Sequence, residues 1–361
     1  MPPRAATLLT PDEGTPTMPA PTDYELFALG DVTLQGGGTL RDARLAYKTY
    51  GTLAEDRSNV ILHPTWFSAW HDANEWSIGP GLACDPGRYF IVVPNQINNG
   101  LSSSPSNTPP PFDGPNFPPV TFHDQVQAQH RLLTEQWGIE SLELVLGSSM
   151  GAGQTYQWAV SHPEMVRRAA PIVGSPRTSE HNQVFLKSLR ATLTLDPDFR
   201  GGRYSPDARP TQGLRAFARI YAGWGLSQAF YWQREYRSIG YSSLEDFLVG
   251  FWEGFWLDDR DPNNLLAMLW TWEHGDVGQT PGFEGDTEAA LRSIRCPLVS
   301  MPARTDLYFP PEDEEWAIKL IPNGEVRVID TIWGHFGGLG LHAPDNEFID
   351  RTLKELLGRS A

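Results

Sequence analysis

Three residues of this chain could do chemistry together: Ser149, Asp306 and His335. Ser149 sits in Gly147-Ser148-Ser149-Met150-Gly151, after the apolar run 144–146 and before a stretch that reads as a helix. A strand that turns sharply into a helix forces the residue at the bend into strained backbone angles. Only small neighbours let the segments approach that closely. Such a bend lifts the serine hydroxyl clear of the sheet. It also points the N–H of Met150, at the helix start, to where an oxyanion would form. The pentapeptide alone is a weak signal, because Gly and Ser are common; the strand before it and the helix after it sharpen it.

A serine nucleophile needs a base, and the base needs a carboxylate to orient it. At a strand–turn–helix serine the chain order is serine, acid, histidine. Asp306 follows the apolar run 297–301, and His335, in a glycine-flanked loop, follows 325–330. Read singly, Asp306 is a turn residue or helix cap and His335 a loop histidine. Their order and their places after strands assign them as orienting acid and base, with Asp330 and His342 as the alternatives. His335 must be neutral to act, so acylation is expected to rise with pH as its imidazole loses a proton. The second oxyanion donor is expected after the run 59–63, at the N–H of Thr65 or Trp66; Pro64 has none to give. His63, His71 and Asp72 match no metal-ligand spacing, and no metal site is assigned.

The elements that must hold these residues are short apolar runs, as in parallel strands covered on both faces. They fall at 59–63, 88–95, 142–147, 169–174, 297–301 and 325–330, after earlier strands at 24–27, 32–34 and 46–50 with a turn at "QGGGT". A helix is expected over 121–138, opened by Thr121 and Asp124 at capping-box spacing, and another over 311–321 with acidic residues in its first turn. Strands alternating with helices predict an α/β fold with a mostly parallel central sheet flanked by helices. The alternation breaks between about 175 and 295, a segment without clear strands but rich in aromatics: Trp224, Tyr231, Trp232, Tyr236, Trp252, Trp256, Trp270 and Trp272. It reads as a helical lid whose rings pack on each other, some of them facing an acyl pocket. The division is a core over 23–174 and 296–361, the lid over 175–295, and a disordered arm over 1–22. Residues 95–119, rich in Asn, Ser, Pro and Gly, read as a surface loop without chemistry.

Composition narrows the partners. Hydrophobic residues make up 40% and charged residues 20%, enough for a sizeable core. A net charge of −16 repels phosphate backbones and anionic membranes, which excludes nucleic acid as a natural partner. The two cysteines, Cys84 and Cys296, read as reduced thiols. The first residues lack the apolar core of a signal peptide, and no apolar run approaches the roughly 18 residues that span a bilayer. The expectation is a soluble, cytoplasmic protein acting on a small-molecule ester or acyl donor, without a resident cofactor.

From about Ala46 to Leu357 the chain resembles the homoserine O-acetyltransferase family of the α/β-hydrolase fold. The likeness includes "ACDPGRYFIVVPNQ", the long stretch around "LELVLGSSMGAGQTYQWAVSHPE", "LDPDFRGGRY", "DLYFPP" and "WGHFGGLG". The resemblance implies Ser149 as acyl acceptor, His335 as base and Asp306 as orienter, with the lid forming a tunnel over them. It implies Arg219 as a grip for a substrate carboxylate, acetyl-CoA or another acyl-CoA as a co-substrate, and a homodimer. Two departures stand out. The family's acetyltransferases place an acidic residue directly after the base histidine, where it can hold the substrate amine; here that position is Phe336. A ring cannot replace a carboxylate in binding an ammonium at a dry site. The family's Thr-Tyr-Arg after the arginine helix is replaced by "AGWGLS". Three functions follow in order of expectation: ester hydrolysis or acyl transfer to a non-homoserine acceptor, homoserine O-acetyltransferase, and a catalytically silent binding relative.

Overall fold

The structure, a computed structural model, describes residues 19–359. Eight strands form one sheet in the order β1-β2-β4-β3-β5-β6-β7-β8. β1 (Glu25–Thr33), β2 (Thr39–Tyr50) and β4 (Phe90–Pro94) pair antiparallel. β3 (Val60–Leu62), β5 (Leu144–Ser148), β6 (Ala169–Ile172), β7 (Leu298–Ser300) and β8 (Gly324–Val326) complete a parallel sheet with β4. The parallel strands β3 to β7 are buried throughout, which is why they read as unbroken apolar runs rather than alternating ones. The two early runs at 24–27 and 32–34 are one strand, interrupted only by a register shift around Gly30.

The sheet is covered by α1 (Phe122–Arg131), α2 (Met150–Ser161), α10 (Pro311–Ile318) and α11 (Ala343–Leu357), while the lid holds the helices between. Thr121 and Asp124 close the expected capping box on α1, which runs on into a π-helical turn, Leu132–Gln136. The lid contains α3 (Glu180–Thr194), α4 (Thr211–Gly225), α5 (Gln228–Gln233) and α6 (Leu244–Phe247). A second π-helical turn, Leu248–Glu253, then leads into α7 (Gly254–Leu257), α8 (Pro262–Glu273) and α9 (Thr287–Arg292). Strand order reverses between β3 and β5, with β4 on one side and β6 on the other; loops leaving the carboxyl ends there diverge and open a crevice. Ser149 follows β5 and Trp66 follows β3, so both stand at that crevice.

The helices between β6 and β7 share an aromatic core with the loops of the sheet. Phe67, Phe185, Phe217, Tyr221, Trp252, Trp256, Trp272 and Tyr308 are buried in one cluster that includes Met150. Trp232, by contrast, is 88% exposed, so not every lid aromatic faces inward. Of the arm expected over 1–22, residues 1–18 lie outside the described residues; Ala20 N–H donates to the Asp259 carboxylate of the lid at 3.2 Å. Cys84 and Cys296 are free and buried, and burial pushes both thiols up to about 12. Among the described residues no helix is long and apolar enough to cross a membrane.

Candidate active site

Ser149 has φ 56° and ψ −122°, a left-handed conformation rarely adopted by L-residues and costing about 1–3 kcal/mol. The surrounding glycines explain why the chain can hold it. A Cβ at Gly147 would lie 2.4 Å from the carbonyl oxygen of Gly151, and one at Gly151 would lie 2.7 Å from that of Pro64. The bend is therefore closed on itself and pressed against the loop after β3. Ser149 occupies the position that caps α2, where a serine commonly bonds a free helical N–H. At these angles its side chain makes no such bond, and the hydroxyl is left for other work.

The acid and base come from two loops tied together. His335 Nδ1 lies 2.7 Å from Asp306 Oδ2, with both side chains buried. Asp306 Oδ1 accepts the backbone N–H groups of Tyr308 at 3.0 Å and Phe309 at 3.1 Å. Thr305 Oγ donates to the Thr331 carbonyl at 2.9 Å and accepts from Gly334 N–H at 3.1 Å, which fixes one loop against the other. The base turn in its turn is bonded to the nucleophile strand: Ser148 Oγ donates to the carbonyl of Gly338 at 2.8 Å. β8 ends at Val326, short of the expected 330. Beyond it the chain runs alongside the segment after β7 as an isolated bridge, Ala303–Ile329, rather than as a strand.

The two donor candidates after β3 separate cleanly. Thr65 N–H is spent on the Pro94 carbonyl at 3.3 Å, whereas Trp66 N–H and Met150 N–H bond to nothing among the described residues. Thr65 acts instead as an anchor. Its carbonyl accepts the side-chain amides of Gln96 at 3.2 Å and Gln154 at 3.0 Å, and its hydroxyl accepts Gln96 N–H at 3.1 Å. Neither glutamine was singled out by the sequence. Gln96 also corrects the reading of 95–119 as a surface loop: Asn95, Gln96, Asn98 and Asn99 are buried and hydrogen-bonded beneath the lid.

Other candidates fall elsewhere. Arg219, expected to grip a substrate carboxylate, is exposed on the outer face of α4, its guanidinium held by Glu253 at 2.6 Å and Glu245. The helix period explains this, because Leu214, Phe217, Ala218 and Tyr221 take the buried face and leave position 219 outside. Phe336 packs edge-on against Trp252 at 5.2 Å and Phe251 at 6.2 Å, so the residue after the base contributes apolar surface only. Asp330 is a surface residue paired with Arg304 at 2.6 Å, and His342 stacks on Trp333 beside Asp345. His63 faces Ser77 Oγ at 3.1 Å, and burial holds its imidazole down at about 3. His71 lies against Asp23 and Asn95. Among the described residues no cluster of three or more His, Cys, Asp or Glu could hold a metal ion.

Known proteins carry the same arrangement of chain. A family profile described as the alpha/beta hydrolase fold matches residues 59–339. The ethyl acetate hydrolase of Pseudomonas veronii is 42% identical over 339 residues, 94% of this chain and 96% of that protein. The crystal structure of an acetylester hydrolase from Corynebacterium glutamicum matches with a TM-score of 0.90 at 42% identity, covering 93% of this chain and 96% of that one. A homoserine O-acetyltransferase of Chlorobium chlorochromatii is 30% identical over 335 residues, 89% of this chain and 92% of that protein. With the elbow, the sheet order and these likenesses together, the chain belongs to the homoserine O-acetyltransferase-like family of the α/β-hydrolase fold.

Proposed function

We propose that this enzyme is a serine esterase that hydrolyses short, neutral acetate esters through an acetyl-serine. Ser149 Oγ attacks the ester carbonyl while His335 Nε2 takes its proton. The developing oxyanion is held by the N–H groups of Met150 and Trp66, the two donors left free at the bend. His335 hands the proton to the leaving alcohol, and water activated by the same imidazole releases acetate. Asp306, bonded to Nδ1, keeps Nε2 as the nitrogen that takes up and returns the proton. No resident cofactor, metal or nucleic acid enters this scheme; an acyl-CoA would enter only as an alternative acyl donor.

The observation that carries the reading is the apolar wall beside a complete acid–base pair. Phe336 stands where an amine would need a carboxylate, and Arg219 is turned outward into two ion pairs. An amino-acid acceptor would then be desolvated with neither of its charges answered, at several kcal/mol per ion. The ester hydrolases that match at 42% identity support the same direction. The test is acetate release from ethyl acetate, followed by pH-stat, in the wild type and in Ser149→Ala. A loss of about 10⁴-fold or more is expected. Release that survives the substitution would remove Ser149 as nucleophile. Acetylation of homoserine from acetyl-CoA that outpaces ester hydrolysis would favour the acetyltransferase reading. A folded wild type that fails to label with a fluorophosphonate at Ser149 would favour the silent one.

A further inference from the structure

The aromatic core beside His335 carries buried hydrogen-bond donors. The Tyr308 hydroxyl and the indole N–H groups of Trp252, Trp256 and Trp272 are buried and make no hydrogen bond. The Tyr308 hydroxyl has that of Tyr221 as a neighbour, and the Trp252 indole that of Tyr231. The four rings belong to one shell. Trp252, Trp256 and Tyr308 pack on Tyr221 at 5.9, 5.0 and 6.2 Å, and Trp272 meets Tyr308 at 5.6 Å. Packing alone does not select this set, since phenylalanine would fill much of the same space without burying an unanswered donor.

Geometry says which half of an ester meets them. With the carbonyl oxygen at the Met150 and Trp66 N–H groups, the leaving oxygen must lie within reach of His335 Nε2 to receive its proton. The alcohol chain therefore leaves beside His335. The Tyr308 ring lies 4.4 Å from that imidazole, and Phe309, stacked on Trp272 at 5.6 Å, lies 5.6 Å from it. The buried carboxylates beside this core are already engaged, Glu253 by Arg215 and Arg219 and Asp306 by His335. What remains is apolar surface with donors and no free charge.

We propose that this aromatic core is the subsite for the alcohol half of the ester, and that it selects neutral alcohols carrying a hydrogen-bond acceptor oxygen, an ether or a carbonyl, in their chain. The inference rests on the esterase reading above. Its test compares 2-methoxyethyl acetate with n-butyl acetate, which differ by one oxygen in place of one methylene. kcat/KM for each is measured by pH-stat and divided by the ester's hydroxide-catalysed rate, which removes intrinsic reactivity. The wild type is expected to favour the ether by about three- to tenfold. Tyr308→Phe and Trp272→Phe, made separately so that one misfolded variant does not end the test, are each expected to bring the ratio towards one. Butyl acetate serves in each as the internal reference for general damage. A corrected wild-type ratio at or below one overturns the subsite, as does a ratio unmoved in both variants. If Ser149-dependent hydrolysis of both esters is absent, the esterase reading fails and the subsite with it; hydrolysis without preference sinks the subsite alone.

Discussion

The Nδ1 of His335 and the Oδ2 of Asp306 meet at 2.7 Å because the other carboxylate oxygen is already occupied. Oδ1 is held by the N–H groups of Tyr308 and Phe309, which leaves Oδ2 a single direction in which to face the imidazole. Asp306→Asn keeps the shape but offers an amide that can donate, which favours the wrong imidazole tautomer. kcat for ethyl acetate should fall by about 10³–10⁴-fold with KM changed far less. A loss under tenfold would mean that the orienting acid lies elsewhere.

The close approaches at the bend predict a contrast among glycines. Gly147→Ala and Gly151→Ala each push a methyl into backbone carbonyls, at 2.4 and 2.7 Å, which cannot swing aside as a flexible side chain would. Each should destabilise the fold by about 1–3 kcal/mol, and Gly151→Ala should also cut activity, because the Pro64 carbonyl it strikes lies in the loop that carries Trp66. Gly223, on the exposed side of α4, has nothing within 4 Å of its added Cβ. Gly223→Ala should raise stability by about 0.4–1 kcal/mol. Urea midpoints of the three variants decide the matter; equal effects at 151 and 223 would refute the packing argument.

What the sequence disclosed about this site follows from how local the determinants are. The bend at Ser149 is written into five consecutive residues and the strand and helix around them, and Asp306 and His335 lie just past apolar runs, so pattern alone reaches them. The choice between Thr65 and Trp66 was not legible, because it depends on the Pro94 carbonyl across a neighbouring strand. Gln96 and Gln154 were invisible for the same reason: a glutamine that pins a carbonyl looks like any other glutamine until the chain is folded. The resemblance assigned Arg219 without regard to its helical face, and the apolar spacing 214, 217, 218, 221 turns position 219 outward.

That outward placement has a kinetic consequence. Arg219→Ala removes the pairs to Glu245 and Glu253 but leaves Arg215 on Glu253. Since α4 turns this side chain away from the lid core, kcat/KM for ethyl acetate should stay within about threefold of wild type. A KM raised tenfold or more, with kcat intact, would return Arg219 to the substrate site.

A second acid, outside the site, should shape the pH dependence of stability. Glu314 on α10 is fully buried, with Oε2 receiving the hydroxyls of Tyr156 on α2 and Ser300 on β7, and Oε1 without a partner. Burial pushes its carboxyl up to about 7, although the two hydroxyl donors pull it down. The folded protein thus holds this proton more tightly than the unfolded chain, whose glutamate has its ordinary value near 4.5. The contribution is complete below about 4.5. It declines as pH rises, because the unfolded state sheds the proton first, and it is gone above about 7. At 1.36 kcal/mol per pH unit, the loss between those limits is about 3 kcal/mol. Other carboxylates titrate in the same acid range, so the measurement is a difference. Glu314→Gln preserves shape and removes the titration, and denaturation midpoints of both proteins at pH 5 and pH 8 isolate this group. The wild type should lose stability relative to the variant by about 3 kcal/mol over that interval. A difference that stays constant with pH would show that Glu314 is ionised alike in the folded and unfolded chains.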